Sequence, residues 1–323
     1  MPAPVRRTTR IFRIPAGIFG ALLTVGAALC AARQQPEAIP IPAIEALKLR
    51  ADSGDAGARL RLTEFLVSAD PASPGYDQAL AWLWLGAAQN KPDAQFALGY
   101  LYEHGKSLPL DFSKAAENYR KAALKGYSPA ENNLGGLYRL GNGVPRDMAV
   151  AFQWYQRAAQ HGNRVAQQNL GTFFYLGYAT PVDYAEAAKW FRASAEQSFA
   201  EGQSSLAYCY LKGLGVPHDD SEAARWALLA ARQGQARAEA LLAYLYERGS
   251  GGLALDYAEA YAWYSRSIAA GENANAERLK ALAQVMTRKQ IDEAKSLLST
   301  QSVAVRDGGA ASIPLAGALL PNP

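Results

Sequence analysis

Cysteine is scarce in this sequence, and its scarcity excludes one way of holding a fold together. Only Cys30 and Cys209 occur in 323 residues. Cys30 lies in an N-terminal apolar run, so a processed chain would leave Cys209 without a partner, and a disulfide framework is excluded. An apolar helical core must therefore hold the chain, and 50% of its residues are apolar.

Histidine is also rare, and the three histidines are not spaced as metal ligands. His104, His161 and His218 form no His-Glu-x-x-His pattern and no paired ligand spacing. Two of them stand beside glycines that are predicted to end helices, where a cationic ring suits the helix dipole. The sequence therefore indicates no metal and no other cofactor.

Motifs of catalysis and nucleotide binding are missing as well. There is no Gly-x-Ser-x-Gly, and no Cys/His or Ser/Lys arrangement is visible. Gly141-Asn142-Gly143 and Gly213-Leu214-Gly215 look like fragments of phosphate-binding loops, but no predicted strand precedes them and no Lys-Ser/Thr follows. We interpret both as turns between helices and predict that the protein is not an enzyme.

Excess positive charge is confined to the start of the chain. Arg6, Arg7, Arg10 and Arg13 precede every acidic residue. Without these four, 29 of the 33 Lys and Arg residues remain, which equals the 29 Asp and Glu residues. No basic stripe remains to release counterions from a phosphate backbone. Nucleic-acid binding is therefore not expected.

These arginines lead into an apolar run, residues 14–32, with the layout of a signal peptide. Residues 1–32 are predicted to be cleaved after Cys30 or Ala32, with a linker at 33–43. Two alternatives stay open: the run is long enough to remain as an inner-membrane anchor, and Cys30 is a possible lipidation site. We expect an exported protein located in the periplasm.

A repeat with a period of 36 residues fills most of the chain. Large side chains four residues apart share one face of a helix, which predicts a buried face on the first helix of each repeat. The period is typical of helix pairs that stack into solenoids. The recurring leucines are Leu62, Leu98, Leu134, Leu170, Leu206 and Leu242, followed four residues later by Leu66, Tyr102, Tyr138, Phe174, Tyr210 and Tyr246.

Glycine and aspartate punctuate each repeat. A glycine can adopt the left-handed conformation that ends a helix, and an aspartate accepts from free amides in the first turn of the next. The predicted helix ends are Gly105, Gly141, Gly177, Gly213 and Gly249. The predicted helix starts are Asp111, Asp147, Asp183, Asp219 and Asp256.

The register predicts an all-α solenoid of about six helix-pair repeats over residues 44–299, including helical caps at both ends. Residues 300–323 are rich in Gly, Ala and Pro and are predicted to be a disordered tail. Tryptophans recur at Trp154, Trp190, Trp226 and Trp263. We expect them to pack in the core, with a sugar-stacking row as the alternative.

Three segments carry a resemblance to a known family: Ala166-Gln167-Gln168-Asn169-Leu170-Gly171, the turn at residues 141–147 and the run at residues 183–191. They closely resemble Sel-1-like repeats, a longer-period relative of the tetratricopeptide repeat. Local departures are Ser107-Leu108 and Ala179-Thr180 in the turns and Ser198 in place of a closing glycine. The resemblance implies a protein-binding adaptor without chemistry of its own.

Helical geometry then suggests a binding face. With Leu98 at the centre of the buried face, the positions equivalent to 93, 97, 100 and 104 lie on the opposite side of each first helix. By resemblance to tetratricopeptide-like stacks, this side lines a concave groove that holds a protein or peptide. The predicted groove residues are Arg61, Glu64, Tyr100, His104, Asn133, Asn169, Thr172, Tyr208, Lys212, Tyr244 and Arg248.

Two functional hypotheses follow. The first is an adaptor of the bacterial cell envelope that binds a protein or peptide in the groove. The alternative is a structural or regulatory subunit of an envelope complex that binds peptidoglycan or exopolysaccharide. Membrane contact is expected only through an uncleaved N-terminus or a lipidated Cys30.

Overall fold

The computed structural model describes residues 41–306, except residues 54, 56, 57, 59, 60, 64, 67–69, 71, 106 and 107. This part of the chain is helical and has no strand. Its helices are α1 (Ile41–Asp52), α2 (Tyr76–Ala88), α3 (Pro92–His104), α4 (Phe112–Ala123), α5 (Ser128–Leu140), α6 (Met148–Gln160), α7 (Arg164–Leu176), α8 (Tyr184–Glu196), α9 (Ala200–Lys212), α10 (Asp220–Ala231), α11 (Ala236–Arg248), α12 (Tyr257–Ala269), α13 (Ala276–Val285) and α14 (Arg288–Arg306).

The chain divides between Thr180 and Pro181 into two compact units, which we call the N-terminal and C-terminal units. In the N-terminal unit, helices α3 to α7 pack consecutively, each on the next. In the C-terminal unit, α8 to α12 do the same, and α13 and α14 both pack on α12. Each unit is thus a stack of helix pairs, and the predicted solenoid architecture is confirmed.

The predicted core register is confirmed by burial. Every leucine of the series from Leu62 to Leu242 is at most 1% exposed. The alanines that follow the cap aspartates are buried too, which lets neighbouring helices approach closely; they are Ala115, Ala151, Ala187, Ala223 and Ala260. The aromatic slot is less enclosed, since Tyr138, Phe174, Tyr210 and Tyr246 are only partly buried.

First helices end as the sequence predicts. Gly105, Gly141, Gly177, Gly213 and Gly249 are C-cap residues in the left-handed conformation, with φ between 61° and 78°. Second helices end with a left-handed residue as well, and here Asn90 and Ser198 occupy the slot that is glycine elsewhere. Ser198, at φ 57°, bears the cost of about 1–2 kcal/mol that a side chain incurs in this conformation.

Second helices start at the predicted aspartates. Asp147 Oδ1 accepts from the amides of Ala149 and Val150, and the other four aspartates cap their helices in the same way. The backbone amide of Asp147 also donates to the carbonyl of Tyr138, 2.9 Å away, and the pairs Asp111–Tyr102, Asp219–Tyr210 and Asp256–Tyr246 repeat this bond. The aspartate therefore caps one helix and ties it to the helix before.

The second glycine of the turn marks a close backbone contact between repeats. A Cβ on Gly143 would lie 2.2 Å from the carbonyl carbon of Phe112, and one on Gly215 would lie 1.9 Å from the carbonyl oxygen of Tyr184. Phe112 and Tyr184 each begin the second helix of the preceding repeat. The Gly-x-Gly turns are therefore packing elements, in agreement with the prediction that they are turns between helices.

A buried polar slot recurs on the first helices and was missed by the sequence analysis. Its members are at most 6% exposed and are Gln95, Glu131, Gln167, Gln203 and Glu239. Gln167 Nε2 donates to the carbonyl of Ala159, and Gln203 Nε2 to that of Ala195, each at 3.3 Å. The glutamines thus add a side-chain hydrogen bond to carbonyls at the ends of second helices, which also accept from the backbone amides of Gly162 and Ser198.

The two glutamates in this slot bind basic side chains instead. Glu131 Oε2 lies 2.8 Å from His161 Nδ1, and Glu239 Oε1 lies 3.0 Å from Arg266 Nη2. Burial raises the pKa of Glu239, an effect that Arg266 opposes through its charge and hydrogen bond. A buried glutamate is thus stable in this slot because a basic side chain at the end of the second helix in the same repeat contacts its carboxylate.

The ends of the described chain differ from the predicted boundaries. Helix α1 begins at Ile41, inside the predicted linker, and α14 continues to Arg306, past the predicted boundary at residue 299. No glycine or proline interrupts residues 300–306, so nothing in the sequence ends the helix there. Between residues 41 and 306, no helix is long and apolar enough to cross a bilayer. The predicted signal peptide lies outside the described residues.

The backbone contact at Gly215 gives a first prediction. Gly215→Ala should lower the free energy of unfolding by at least about 3 kcal/mol, because the new Cβ collides with the Tyr184 backbone. Gly234→Ala is the matched control, since Gly234 is also left-handed but has no atom within 4 Å of its Cβ position. It should lose only about 1–2 kcal/mol. Guanidinium unfolding followed by circular dichroism measures both, and equal losses would contradict the proposed backbone contact.

Candidate partner-binding face

The predicted groove residues lie on the first helices, but the structure does not expose all of them. Arg61, His104, Lys212 and Arg248 are exposed, and Tyr208 and Tyr244 are partly buried. Glu64 lies outside the described residues. The remaining four, Tyr100, Asn133, Asn169 and Thr172, are at most 5% exposed.

The expectation that these four side chains point away from the core is wrong. All residues from Ala130 to Leu137 in α5 and from Val165 to Phe173 in α7 are buried, so these stretches have no solvent-facing side. A wheel drawn for one helix divides it into an inner and an outer face. That division does not hold for a helix that is covered on all sides by its neighbours.

The buried asparagines bond to one another across two helices. Asn169 Nδ2 donates to Asn132 Oδ1 at 3.0 Å, joining α7 to α5. Asn132 Nδ2 then donates to Asn133 Oδ1 at 3.2 Å. We expected the amides of Asn133 and Asn169 to bind a partner in the groove. They belong instead to a network that connects successive repeats of the N-terminal unit.

The same network continues into α4 and α3. Asn133 Nδ2 donates to the hydroxyl of Tyr119 at 3.1 Å, and that hydroxyl donates to Glu103 Oε2 at 2.6 Å. Burial raises the pKa of Tyr119 well above its ordinary value. Burial also raises the pKa of Glu103, although the Tyr119 hydrogen bond opposes the shift. The raised pKa of the Glu103 carboxyl is explained by its burial in the packed network, and it does not indicate a catalytic role.

His104 is the exposed end of the predicted face on α3. Its ring stacks on that of Tyr100, with the centroids 3.9 Å apart and the planes 20° from parallel, and its Nδ1 lies 3.0 Å from the Tyr100 carbonyl oxygen. Tyr100 is buried under this ring. The accessible part of this pair is therefore His104 alone.

The C-terminal unit brings its predicted residues together. Lys212 Nζ lies 5.9 Å from the ring centroid of Tyr244, and the Arg248 guanidinium lies 5.4 Å from it. A third cation, Arg278, lies 5.1 Å from the same centroid. We call Lys212, Tyr244, Arg248 and Arg278 the Tyr244 cluster. Arg278 was missed because it comes from α13, outside the repeat register.

The tryptophan row does not form an open stacking surface. Trp226 and Trp263 are buried, and Trp154 and Trp190 are partly buried. A basic side chain of the same helix lies over each ring: Arg157 over Trp154, Lys189 over Trp190, Arg225 over Trp226 and Arg266 over Trp263. This arrangement agrees with the expected packing role and leaves little ring surface for a sugar.

Other chemically active side chains are held in structural positions. Cys209 is buried, and burial raises its pKa to about 12, which disfavours the reactive thiolate. Among the residues that the structure describes, no group of three or more His, Cys, Asp or Glu side chains could hold a metal ion.

Comparison with known families identifies the repeat. The family described as Sel1 repeat matches residues 92–127, 128–163, 164–199, 200–235 and 236–272. Each matched segment contains one first helix and one second helix, from α3 through α12. The first of the six predicted repeats, which precedes residue 92, lies outside these matches.

Two solved structures share the fold. One is c5321, a protective antigen present in uropathogenic Escherichia coli strains that displays an SLR fold. It is 32% identical with a TM-score of 0.63, and the match covers 80% of this chain and 56% of that one. The other is a Sel1 repeat protein from Oxalobacter formigenes, 29% identical with a TM-score of 0.63, and the match covers 73% of this chain and 96% of that one.

A curated protein shows a shorter similarity. The chain is 40% identical over 72 residues to a chitin synthase regulator of Saccharomyces cerevisiae. The match covers 22% of this chain and only 10% of that regulator.

The buried network gives a second prediction. Asn133→Ala should lower the free energy of unfolding by about 1–3 kcal/mol, because the Asn132 amide loses the Asn133 oxygen that accepts from it and the Tyr119 hydroxyl loses a donor. Asn118→Ala is the control, since the hydrogen bond from its side chain to the Lys114 carbonyl, 2.9 Å long, is exposed to solvent. It should change stability by less than about 0.5 kcal/mol. Thermal melting compares the two, and an unchanged melt for Asn133→Ala would show that the network is not needed for stability.

Proposed function

This chain belongs to the Sel1 repeat family, and on that premise we propose that it is an adaptor of the bacterial cell envelope that binds a protein or peptide. Sel1 repeat proteins generally serve as scaffolds for protein interactions and are typically non-catalytic. The proposal adds the envelope location and the binding surface.

The observation that carries the proposal is the convergence of side chains at the ends of α9 and α11. Lys212 and Arg248 are the last residues of these helices, and Tyr208 and Tyr244 lie one turn before them. All four are at least partly exposed, whereas residues 130–137 of α5 and 165–173 of α7 are all buried. Tyrosine provides contact area with a polar tip, and exposed arginine and lysine select charge, a composition that suits a protein or peptide partner.

Binding at these helix ends replaces the predicted groove in the N-terminal unit. Asn133 and Asn169 are used inside the protein, so they are not offered to a partner. Arg61 and His104 remain exposed there. We assign partner binding to the exposed members of the predicted set.

A regulatory subunit that binds peptidoglycan or exopolysaccharide is the second candidate. The relative named as a chitin synthase regulator favours it, because that name connects a similar stretch of sequence to an enzyme of polysaccharide synthesis. The covered tryptophan rings argue against direct stacking on sugars.

Site-specific photocrosslinking tests the adaptor proposal. A photoreactive phenylalanine analogue at Tyr208 should crosslink to a discrete protein in envelope extracts. The matched control places the analogue at Tyr184, an exposed tyrosine that starts a second helix of the same unit. That position should not give the same product. Equal products from both positions, or binding to purified sacculi without any protein partner, would contradict the adaptor proposal and favour nonspecific contact or glycan binding.

Export is a separate part of the proposal and rests on residues 1–32. The charge-then-apolar layout supports cleavage near Cys30 to Ala32. N-terminal sequencing of material from the periplasm should find a chain that starts just after this segment. Full-length chain in the inner membrane would show an anchor instead, and acyl label on Cys30 would show a lipoprotein.

A further inference from the structure

The Tyr244 cluster concentrates positive charge on one partly exposed ring. Lys212, Arg248 and Arg278 come from three different helices, α9, α11 and α13, and lie 5.9, 5.4 and 5.1 Å from the ring centroid. Attraction to the face of the ring offsets part of the repulsion among them. The remaining repulsion is relieved when an anion binds, so the cluster is prepared for negative charge.

The fold itself does not require these cations. Lys212 and Arg248 end their helices, where a cation interacts favourably with the helix dipole. However, the same slot holds Leu140 in α5 and Leu176 in α7, and both helices end normally at a left-handed glycine. At this slot α3 holds His104, and only α9 and α11, both in the C-terminal unit, hold a Lys or Arg among the first helices from α3 to α11.

Arg278 is placed against the helix dipole. It lies in the first turn of α13, where the dipole disfavours a cation. Glu247 holds it there: Glu247 Oε2 accepts from Arg278 Nε at 2.6 Å and from the Tyr264 hydroxyl at 3.1 Å. Glu247 thus compensates one of the three positive charges and fixes the position of Arg278.

The other two cations have no such compensation. In the described part of the chain, neither Lys212 nor Arg248 forms an ion pair, and both are exposed. Two uncompensated charges match two carboxylates more closely than the single charge of a chain terminus.

We propose that the Tyr244 cluster binds an acidic segment of the partner protein, with at least two Asp or Glu side chains placed against Lys212 and Arg248. This inference rests on the proposed adaptor function and specifies the chemistry of its partner. Arg278 is held by Glu247 and lines the site as a third donor. Tyr244 keeps the cations close together and supplies contact area.

Fluorescence anisotropy with defined peptides tests the proposal on the full chain. The probe is a labelled peptide of glycine and glutamate with both termini blocked, and the comparison peptide has glutamine in place of glutamate. The acidic peptide should bind at least about tenfold more tightly, and its affinity should fall as salt is raised. Equal binding of the two peptides would overturn the proposal.

Charge-neutralising variants locate the site. Lys212→Gln combined with Arg248→Gln should weaken binding of the acidic peptide by about tenfold or more without lowering the melting temperature. The matched control, Arg225→Gln with Arg232→Gln, removes the same charge from α10 and its C-cap and should change affinity by less than about twofold. A similar loss in both double variants would show a general charge effect and overturn the assignment.

Two competitors distinguish other anions. A neutral peptide with a free C-terminal carboxylate should compete poorly, and strong competition would reassign the site to chain termini. Preference for a short oligonucleotide over the acidic peptide would likewise overturn the proposal. If acidic peptides fail to bind while the Tyr208 crosslink persists, only this inference fails. If the crosslink is also absent, the adaptor proposal fails with it.

Discussion

The enclosure of the first helices is the constraint on which the rest of this structure depends. A helix covered on all sides must satisfy every polar group within the protein, because an unpaired buried group costs about 1–3 kcal/mol. The recurring glutamine or glutamate slot and the asparagine network both supply such internal bonds. They also explain why accessible polar side chains are concentrated at the helix ends.

Much of the fold could be predicted from the sequence because its signals are local and repeated. A leucine such as Leu98, a glycine such as Gly141 and an aspartate such as Asp147 each have a role set by their own helix. The burial of Asn133 and Asn169 could not be predicted in this way, since it depends on which helices surround them. A polar residue in a solvent-facing slot and one in a buried network look the same in a single sequence.

The residues of the candidate site also differ in whether the sequence could predict them. Lys212, Tyr244 and Arg248 fall in the repeat register, so the period alone predicts that they share one face. Arg278 lies in a capping helix that is not part of the repeat, so the period does not predict its position. Its contact with Glu247 depends on how α13 packs against the repeats. A recurring glutamine slot was, by contrast, visible in the sequence as Gln95, Gln167 and Gln203, and only its purpose was hidden.

The Gly-x-Gly turns bear on how such a chain changes in length. At Gly143 and Gly215 neighbouring repeats meet through backbone atoms, and the residue between the two glycines differs, Asn142 in one turn and Leu214 in the other. A junction made by main chain carries almost no side-chain identity that the adjoining repeat has to match. Duplicating or deleting a repeat therefore makes no side-chain demand at this turn, and the matching of neighbours falls to the buried side chains between helices, such as Asn132 and Asn169.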